Sequence, residues 1–262
     1  MLDNGLLASG YFNGIIKIWN TSDDSLLRTL TGHVNNVQSL AKLQNGHLAS
    51  GDKTIKIWNI TDGSLIRDIP GHTYDVLSLA VLRNGYLVSC DGFEIKIWNV
   101  TDGTLIRNIT DHINYERSIA VLQNDNLATG DYDGILKIWS TADGILLRSL
   151  AAHVFVINSL TVLPNGYLAS ASDDATVKIW NADNGTLLRT LYGHLNRVLS
   201  IVVLQNGYLA TGDYDGIIKI WKVNERFEGH TGMNLSLKKS QAKGLRLNSS
   251  DIFNILTFFE KL

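Results

Sequence analysis

The sequence predicts an all-β protein, a radial stack of about six four-stranded antiparallel sheets followed by a C-terminal tail. Three observations predict it. Six tryptophans, Trp19, Trp58, Trp98, Trp139, Trp180 and Trp221, are spaced by 39, 40, 41, 41 and 41 residues. The stretches LATGDYDGILKIW, ending at Trp139, and LATGDYDGIIKIW, ending at Trp221, differ only at Leu136 and Ile218. Histidines (His33, His72, His112, His153, His194) and arginines (Arg28, Arg67, Arg107, Arg148, Arg189) keep the same beat. A fixed period of this length governs architecture more firmly than local propensity does.

Within one period the punctuation spells four strands. In residues 154–193, VFVINSLTVL is a first strand, Asn165-Gly166 a turn and YLASAS a second strand. Asp173-Asp174 then turns into TVKIW, and Asn184-Gly185 turns into TLLRTL. Asn-Gly between β-branched runs supplies the positive φ angles of tight hairpins. The only prolines, Pro70 and Pro164, fall outside strand centres, where a missing N–H costs little. Each small sheet is apolar on both faces, so neighbours must stack face to face. The first repeat, Leu6 to Leu30, has second, third and fourth strands but no first. GMNLSLKK, Gly232 to Lys239, has the alternation to supply it and close a ring of six blades. A truncated seventh blade, with residues 231–262 as its remnant, is the alternative. The repeat domain is expected over 1–239 and a tail over 240–262. In that tail SSDIFNILTFFEKL carries Ile252, Ile255, Leu256 and Phe259 at helical spacing from about residue 250.

Composition narrows the function classes. A chain of 262 residues with 45% hydrophobic and 18% charged side chains buries a sizeable core, which excludes disorder and collagen. With 23 Lys+Arg against 25 Asp+Glu, there is no basic field of the kind nucleic-acid or anionic-membrane binding uses. The lone Cys90 and the absence of a leader or a long apolar run point to a soluble, cytoplasmic protein. No phosphate loop, dinucleotide fingerprint or metal-ligand spacing occurs, so no cofactor or metal is expected. Sequons at Asn20, Asn59, Asn99, Asn108 and Asn184 are by-products of the repeat. Lysines two residues before each tryptophan, Lys17, Lys56, Lys96, Lys137, Lys178 and Lys219, are expected to pack their stems.

Gly-His dipeptides at Gly32-His33, Gly71-His72, Gly193-His194 and Gly229-His230, with Ile-Trp closing each third strand, resemble the WD-repeat β-propeller family over about residues 5 to 230. The resemblance implies a hydrogen-bonded tetrad of Trp, Ser/Thr, His and Asp in each repeat. Ten residues before Trp19, Trp139, Trp180 and Trp221 stand Ser9, Thr129, Ser170 and Thr211; the shorter repeats offer Ser50 and Ser89. Six before tryptophan stand Asn13, Asp133, Asp174 and Asp215, with Asp52 in the second repeat. The third has Gly92 there, and Asp91 one place early. Departures at Gly92, Asp111-His112 and Ala152-His153 predict looser blades.

A Ser, a His and an Asp in reach of one another invite a nucleophilic reading. The set recurs at equivalent places beside a large apolar ring, whereas catalysis needs one exposed nucleophile and an oxyanion hole. No catalytic residue is therefore expected. Variation is concentrated in the loops after each histidine, which the resemblance places on one rim with the second-to-third-strand turns. That rim collects Tyr74, Tyr115, Arg117, Phe155 and Arg197, and from the turns Tyr11, Phe93, Tyr132 and Tyr214. Tyr and Arg are enriched at interaction hot spots; Phe93 and Phe155 are alternatively read as packing between blades. The expectation is a non-catalytic scaffold or adaptor, monomeric alone, that docks protein or peptide partners on this rim. The competing readings are a hydrolase-type enzyme at the channel mouth and a fragment of a larger repeat protein.

Overall fold

The computed structural model describes residues 2, 5–110, 114–204, 206–223 and 234–235. They form six antiparallel sheets, five of four strands and one of three. Blade one holds Leu6–Gly10, Ile16–Asn20 and Ser25–Leu30. Blade two holds Ser39–Lys42, Leu48–Gly51, Ile55–Trp58 and Leu65–Ile69. Blade three follows with Ser78–Val81, Leu87–Cys90, Ile95–Trp98 and Leu105–Ile109, and blade four with Glu116–Val121, Leu127–Asp131, Ile135–Trp139 and Leu146–Ala151. Blade five holds Ile157–Val162, Leu168–Ser172, Val177–Asn181 and Thr186–Leu191. Blade six holds Val198–Val203, Leu209–Asp213, Ile218–Trp221 and the two-residue Asn234–Leu235. Among the described residues there is no helix, so none is long and apolar enough to cross a membrane.

The chain divides into two compact units, one of Met1–Val121 with Thr141–Gly144, the other of Leu122–Ser140 with Ile145–Leu262. In the first, Ile16 and Ile18 of blade one are covered by Trp58 of blade two, and Ile55 and Ile57 of blade two by Trp98 of blade three. In the second, Val177 and Ile179 of blade five meet Trp221 of blade six. The tryptophan period is thus the period of sheet-on-sheet burial. Aromatic rings supply that payload most economically.

The recurring arginines have a structural use. In blade two Ile57 pairs with Arg67 and Trp58 with Leu65, so Ile66 is a bulge residue. The same irregularity precedes Trp19, Trp98, Trp139 and Trp180. Beyond the bulge, Arg67 donates to the carbonyls of Thr101 (2.8 Å) and Asp102 (3.0 Å) in the next blade. Arg28 donates to Thr61, Arg107 to Ala142 and Asp143, and Arg148 to Asp183 in the same manner. The lysines are engaged at their heads as well as their stems. Lys56 pairs with Asp68, Lys96 with Glu94 and Lys137 with Asp131, while Lys178 donates to the Ala152 carbonyl.

Ring closure departs from the expectation. Leu235 pairs with Ile220 and Asn234 with Trp221, so this segment is the fourth strand of blade six and not the first of blade one. The open edge of Ile218–Trp221 needs hydrogen-bond partners, and no Asn-Gly or Asp-Gly hairpin follows Trp221 to provide them otherwise. Among the described residues blade one has three strands. Its Leu6–Gly10 strand is buried only at alternate residues, whereas Leu48–Gly51 and Leu87–Cys90 are buried throughout. The remainder of 232–239 and the helical expectation for 240–262 lie outside the described residues.

Candidate functional site

Strand alternation builds the repeated polar sets. Leu48 pairs with Trp58 and Ser50 with Lys56, which puts the serine hydroxyl on the tryptophan's face of the sheet. Trp58 Nε1 donates to Ser50 Oγ at 2.7 Å, and His33 Nε2 lies 2.5 Å from the same oxygen. His33 Nδ1 lies 2.8 Å from Asp52. Blade three repeats this with Trp98, Ser89, His72 and Asp91, at 2.8, 2.6 and 3.2 Å. In blade five Trp180, Ser170, His153 and Asp174 meet at 2.9, 2.7 and 2.7 Å. In blade six Trp221, Thr211, His194 and Asp213 meet at 2.8, 2.7 and 2.6 Å. Blade four shows Trp139 donating to Thr129 at 2.9 Å; His112 lies outside the described residues.

Two expected carboxylates are replaced. Asp213, not Asp215, faces His194, and Asp131, not Asp133, takes the equivalent place in blade four. There Asp131 accepts the amides of Asp133 and Ile135 and lies 3.2 Å from Lys137. Asp215 instead accepts from Asn196 at 3.0 Å. Blade three is supplied by Asp91, not by the Gly92 position. The physical rule is that in blades two, three, four and six the acid stands two residues beyond the Ser/Thr, at the last residue of that strand or just past it, where alternation carries it to the same face. In blade five that place is held by Ser172, too short to reach, and Asp174 comes round from the turn, its amide on Ser172 Oγ. In blade one Tyr11 stands there and Asn13 is exposed. Trp19 donates to Ser9 at 2.8 Å, and Ser9 donates to the Tyr11 hydroxyl at 3.4 Å. At Ala152-His153 blade five carries a complete set, and Ala152 is buried.

Electrostatics fix these sets as frame. Burial lowers the pKa of His33 and His194 below the ordinary imidazole range despite their carboxylate partners, so both are neutral at pH 7. Burial alone would raise the Asp91 carboxyl, but His72 and the Phe93 and Tyr74 amides outweigh it and hold it well below the usual carboxylate range. For Asp174, His153 and Thr176 likewise overcome burial. Ser50, Ser89, Ser170, Thr129 and Thr211 are wholly buried, and each hydroxyl oxygen already accepts a tryptophan N–H. Such an oxygen cannot meet a substrate. His72, Asp91 and Glu94 bring three donor atoms within 4.8 Å of one another. That group is internally satisfied, because Asp91 takes the Phe93 and Glu94 amides and Glu94 takes Lys96 and Asn108.

A different cluster faces outward in the first unit. Tyr74 and Phe93 have ring centroids 4.8 Å apart, and Phe93 meets Tyr115 edge-on at 5.6 Å. The three rings are 52%, 40% and 38% exposed. Asp91 positions two of them through their own backbone, accepting the amides of Tyr74 at 3.3 Å and Phe93 at 3.0 Å. Gly92 seats the third. A Cβ on Gly92 would lie 2.9 Å from Tyr115 Cδ2, and the Gly92 carbonyl accepts the Glu116 amide at 3.0 Å. Tyr115 is held at φ 59°, a left-handed conformation that a bulky residue adopts only where its surroundings enforce it.

With the geometry in view, the family can be read. The profile of the WD domain, G-beta repeat, matches residues 24–59, 63–99, 103–140, 144–181 and 185–222, more than half of the chain. The protein belongs to the WD40-repeat family. Its fold class is accordingly the six-bladed β-propeller with mostly four-stranded blades. No curated protein matches the chain. Each WD40 match begins at a fourth strand and ends just after the next tryptophan, so the sequence repeat straddles two blades.

The WD40 rim residues are distributed as follows. Tyr74 and Tyr115 come together through Phe93, which is 40% exposed while packing against both. Arg117 is half-buried. In the second unit Tyr132, Phe155 and Tyr214 are exposed, and Arg197 lies over the Tyr214 ring at 6.0 Å with Nε 3.8 Å from Asp173. Tyr11 lies beneath Lys17 at 4.9 Å and partners Ser9. Its neighbour Phe12 is exposed instead. Sequence reasoning missed Val34, Val154 and Leu195, all highly exposed aliphatics. Their signal was present, since each directly follows a repeat histidine.

Proposed function

We propose that the protein is a non-catalytic interaction scaffold that docks a peptide or protein partner on the loops following the repeat histidines. WD40 propellers are in general protein-interaction scaffolds. The observation that carries the reading to this chain is the Tyr74–Phe93–Tyr115 cluster, two tyrosine rings packed on Phe93 with all three left exposed to solvent. A monomer that leaves aromatic surface contiguous and preorganised has the makings of a desolvated binding anchor. Arg197 on Tyr214 and the exposed Phe155 and Tyr132 extend the same loop set in the second unit. Arg117 belongs to the reading as a half-buried residue two places after Tyr115. The wholly buried free thiol of Cys90, pushed up by burial and by Glu116, supports a cytoplasmic setting.

The test is affinity capture with the full chain beside the Tyr115→Asn/Arg197→Ala double variant, after melting curves establish equal folding. The reading expects proteins held by the first chain and lost by the second. Identical captures at equal stability overturn it.

A further inference from the structure

We propose that the Tyr74–Phe93–Tyr115 cluster receives the guanidinium of an arginine side chain presented by the partner peptide. The inference rests on the docking reading and names the chemistry of its anchor.

An acid adjoins every ring. Asp75 follows Tyr74, Asp91 and Glu94 bracket Gly92-Phe93, and Glu116 follows Tyr115. The cations of the same segments are Lys96, engaged by Glu94, and the half-buried Arg117; His72 is buried against Asp91. The local field is therefore negative, and exposed aromatic faces attract a cation through their quadrupole. Asp75 Oδ2 accepts from Gln38 at 3.3 Å, whereas its Oδ1 is buried with no hydrogen-bond partner among the described residues. That carboxylate belongs to the residue directly after Tyr74.

The second unit shows the same chemistry already completed from within. Arg197 sits over Tyr214 with Asp173 near its Nε, a cation, a rim ring and an acid together. In the first unit the rings and acids are present, and among the described residues no cation lies over Tyr74, Phe93 or Tyr115. Arginine fits better than lysine, because a planar guanidinium stacks on a ring face while donating to carboxylates, and an ammonium keeps its water.

The experiment titrates the full chain with four synthetic peptides, acetyl-Gly-Ser-Xaa-Ser-Gly-amide with Arg, Lys, citrulline or Leu at Xaa, and follows the ring proton resonances by NMR. The expected result is that the arginine peptide shifts Tyr74, Phe93 and Tyr115, and that citrulline, isosteric but uncharged, binds about tenfold more weakly. Asp75→Asn and Tyr74→Ala each weaken the arginine peptide several-fold without changing the melting temperature, and added salt weakens it further. Equal binding of arginine and citrulline peptides overturns the proposal, as does arginine binding that survives both Tyr74→Ala and Tyr115→Asn. A leucine peptide that binds these rings better than arginine overturns it while leaving the docking reading intact. If no peptide binds and the double variant above also keeps its captured proteins, both fall.

Discussion

The tetrads of blades two, three, five and six and the Tyr74–Phe93–Tyr115 cluster put aromatic rings to opposite ends. His33, Ser50, Asp52 and Trp58 are drawn inward, each polar atom answered by another. Tyr74, Phe93 and Tyr115 are fixed just as firmly, through Asp91 and Gly92, yet remain open to solvent. Among the described residues the tetrad is complete in four blades and the three-ring cluster occurs once. A group that recurs from blade to blade is frame; a group that the frame holds in an unusual backbone conformation at one place is the better candidate for recognition.

Breaking the frame has the largest expected effect. Trp58→Ala opens the interface with Ile16 and Ile18 and is expected to cost about 3–5 kcal/mol, read as a lower melting temperature. Trp19 is a control within the same fold. It is only half-buried and its serine has no described histidine, so Trp19→Ala is expected to cost distinctly less. Equal losses would show that blade one is held as tightly as blade two.

Next comes removal of a single hydroxyl. Ser170→Ala leaves Trp180 Nε1 and His153 Nε2 without their shared partner, at an expected cost of about 1–3 kcal/mol. Ser9→Ala strands Trp19 Nε1 and the Tyr11 contact alone and belongs at the lower end of that range. Chemical denaturation of the two variants side by side checks the order.

Acid separates the two regions as well. His33 and His194 titrate below their ordinary value of 6.5 because burial disfavours the charged ring. The unfolded chain therefore binds their protons first, and stability falls as pH drops through the unfolded value near 6.5. Asp52, Asp91 and Asp174 titrate below their ordinary 3.8, so their contribution is intact above that pH and is lost below it. The expected profile is flat above about pH 7, declines below it and steepens below about pH 4. A stability maximum in mild acid would contradict the neutral assignment of the histidines.

Much of this was legible in the sequence, and the failures have physical causes. The period gave the blades, the serines and threonines, and the histidines, because one strand register repeats in each. The acids were misread at Asp133 and Asp215 because counting back from tryptophan crosses a turn whose length varies, two residues shorter in the second repeat. Counting forward from Thr129 or Thr211 stays on one strand, and from Ser50 it passes the last strand residue, Gly51, by only one, so alternation fixes the face. The fate of Asn234–Leu235 turned on which open edge lacked a partner, a property of paired strands and not of one segment. The ring cluster was legible as residue types only. That Tyr115 lies on Gly92 depends on a left-handed backbone and on the register of neighbouring blades.

The smallest expected effect on stability is the one that matters most. Tyr74→Ala removes an exposed ring and is expected to change stability by no more than about 0.5 kcal/mol. The most direct test of the account is the melting temperature of Tyr74→Ala and of Ser170→Ala, recorded in parallel with capture of the partner at a temperature where both are folded. The account predicts an unmoved melting temperature with lost capture for the first, and a fall of several degrees with retained capture for the second. The reverse pairing, stability lost with the ring or capture lost with the hydroxyl, would contradict it.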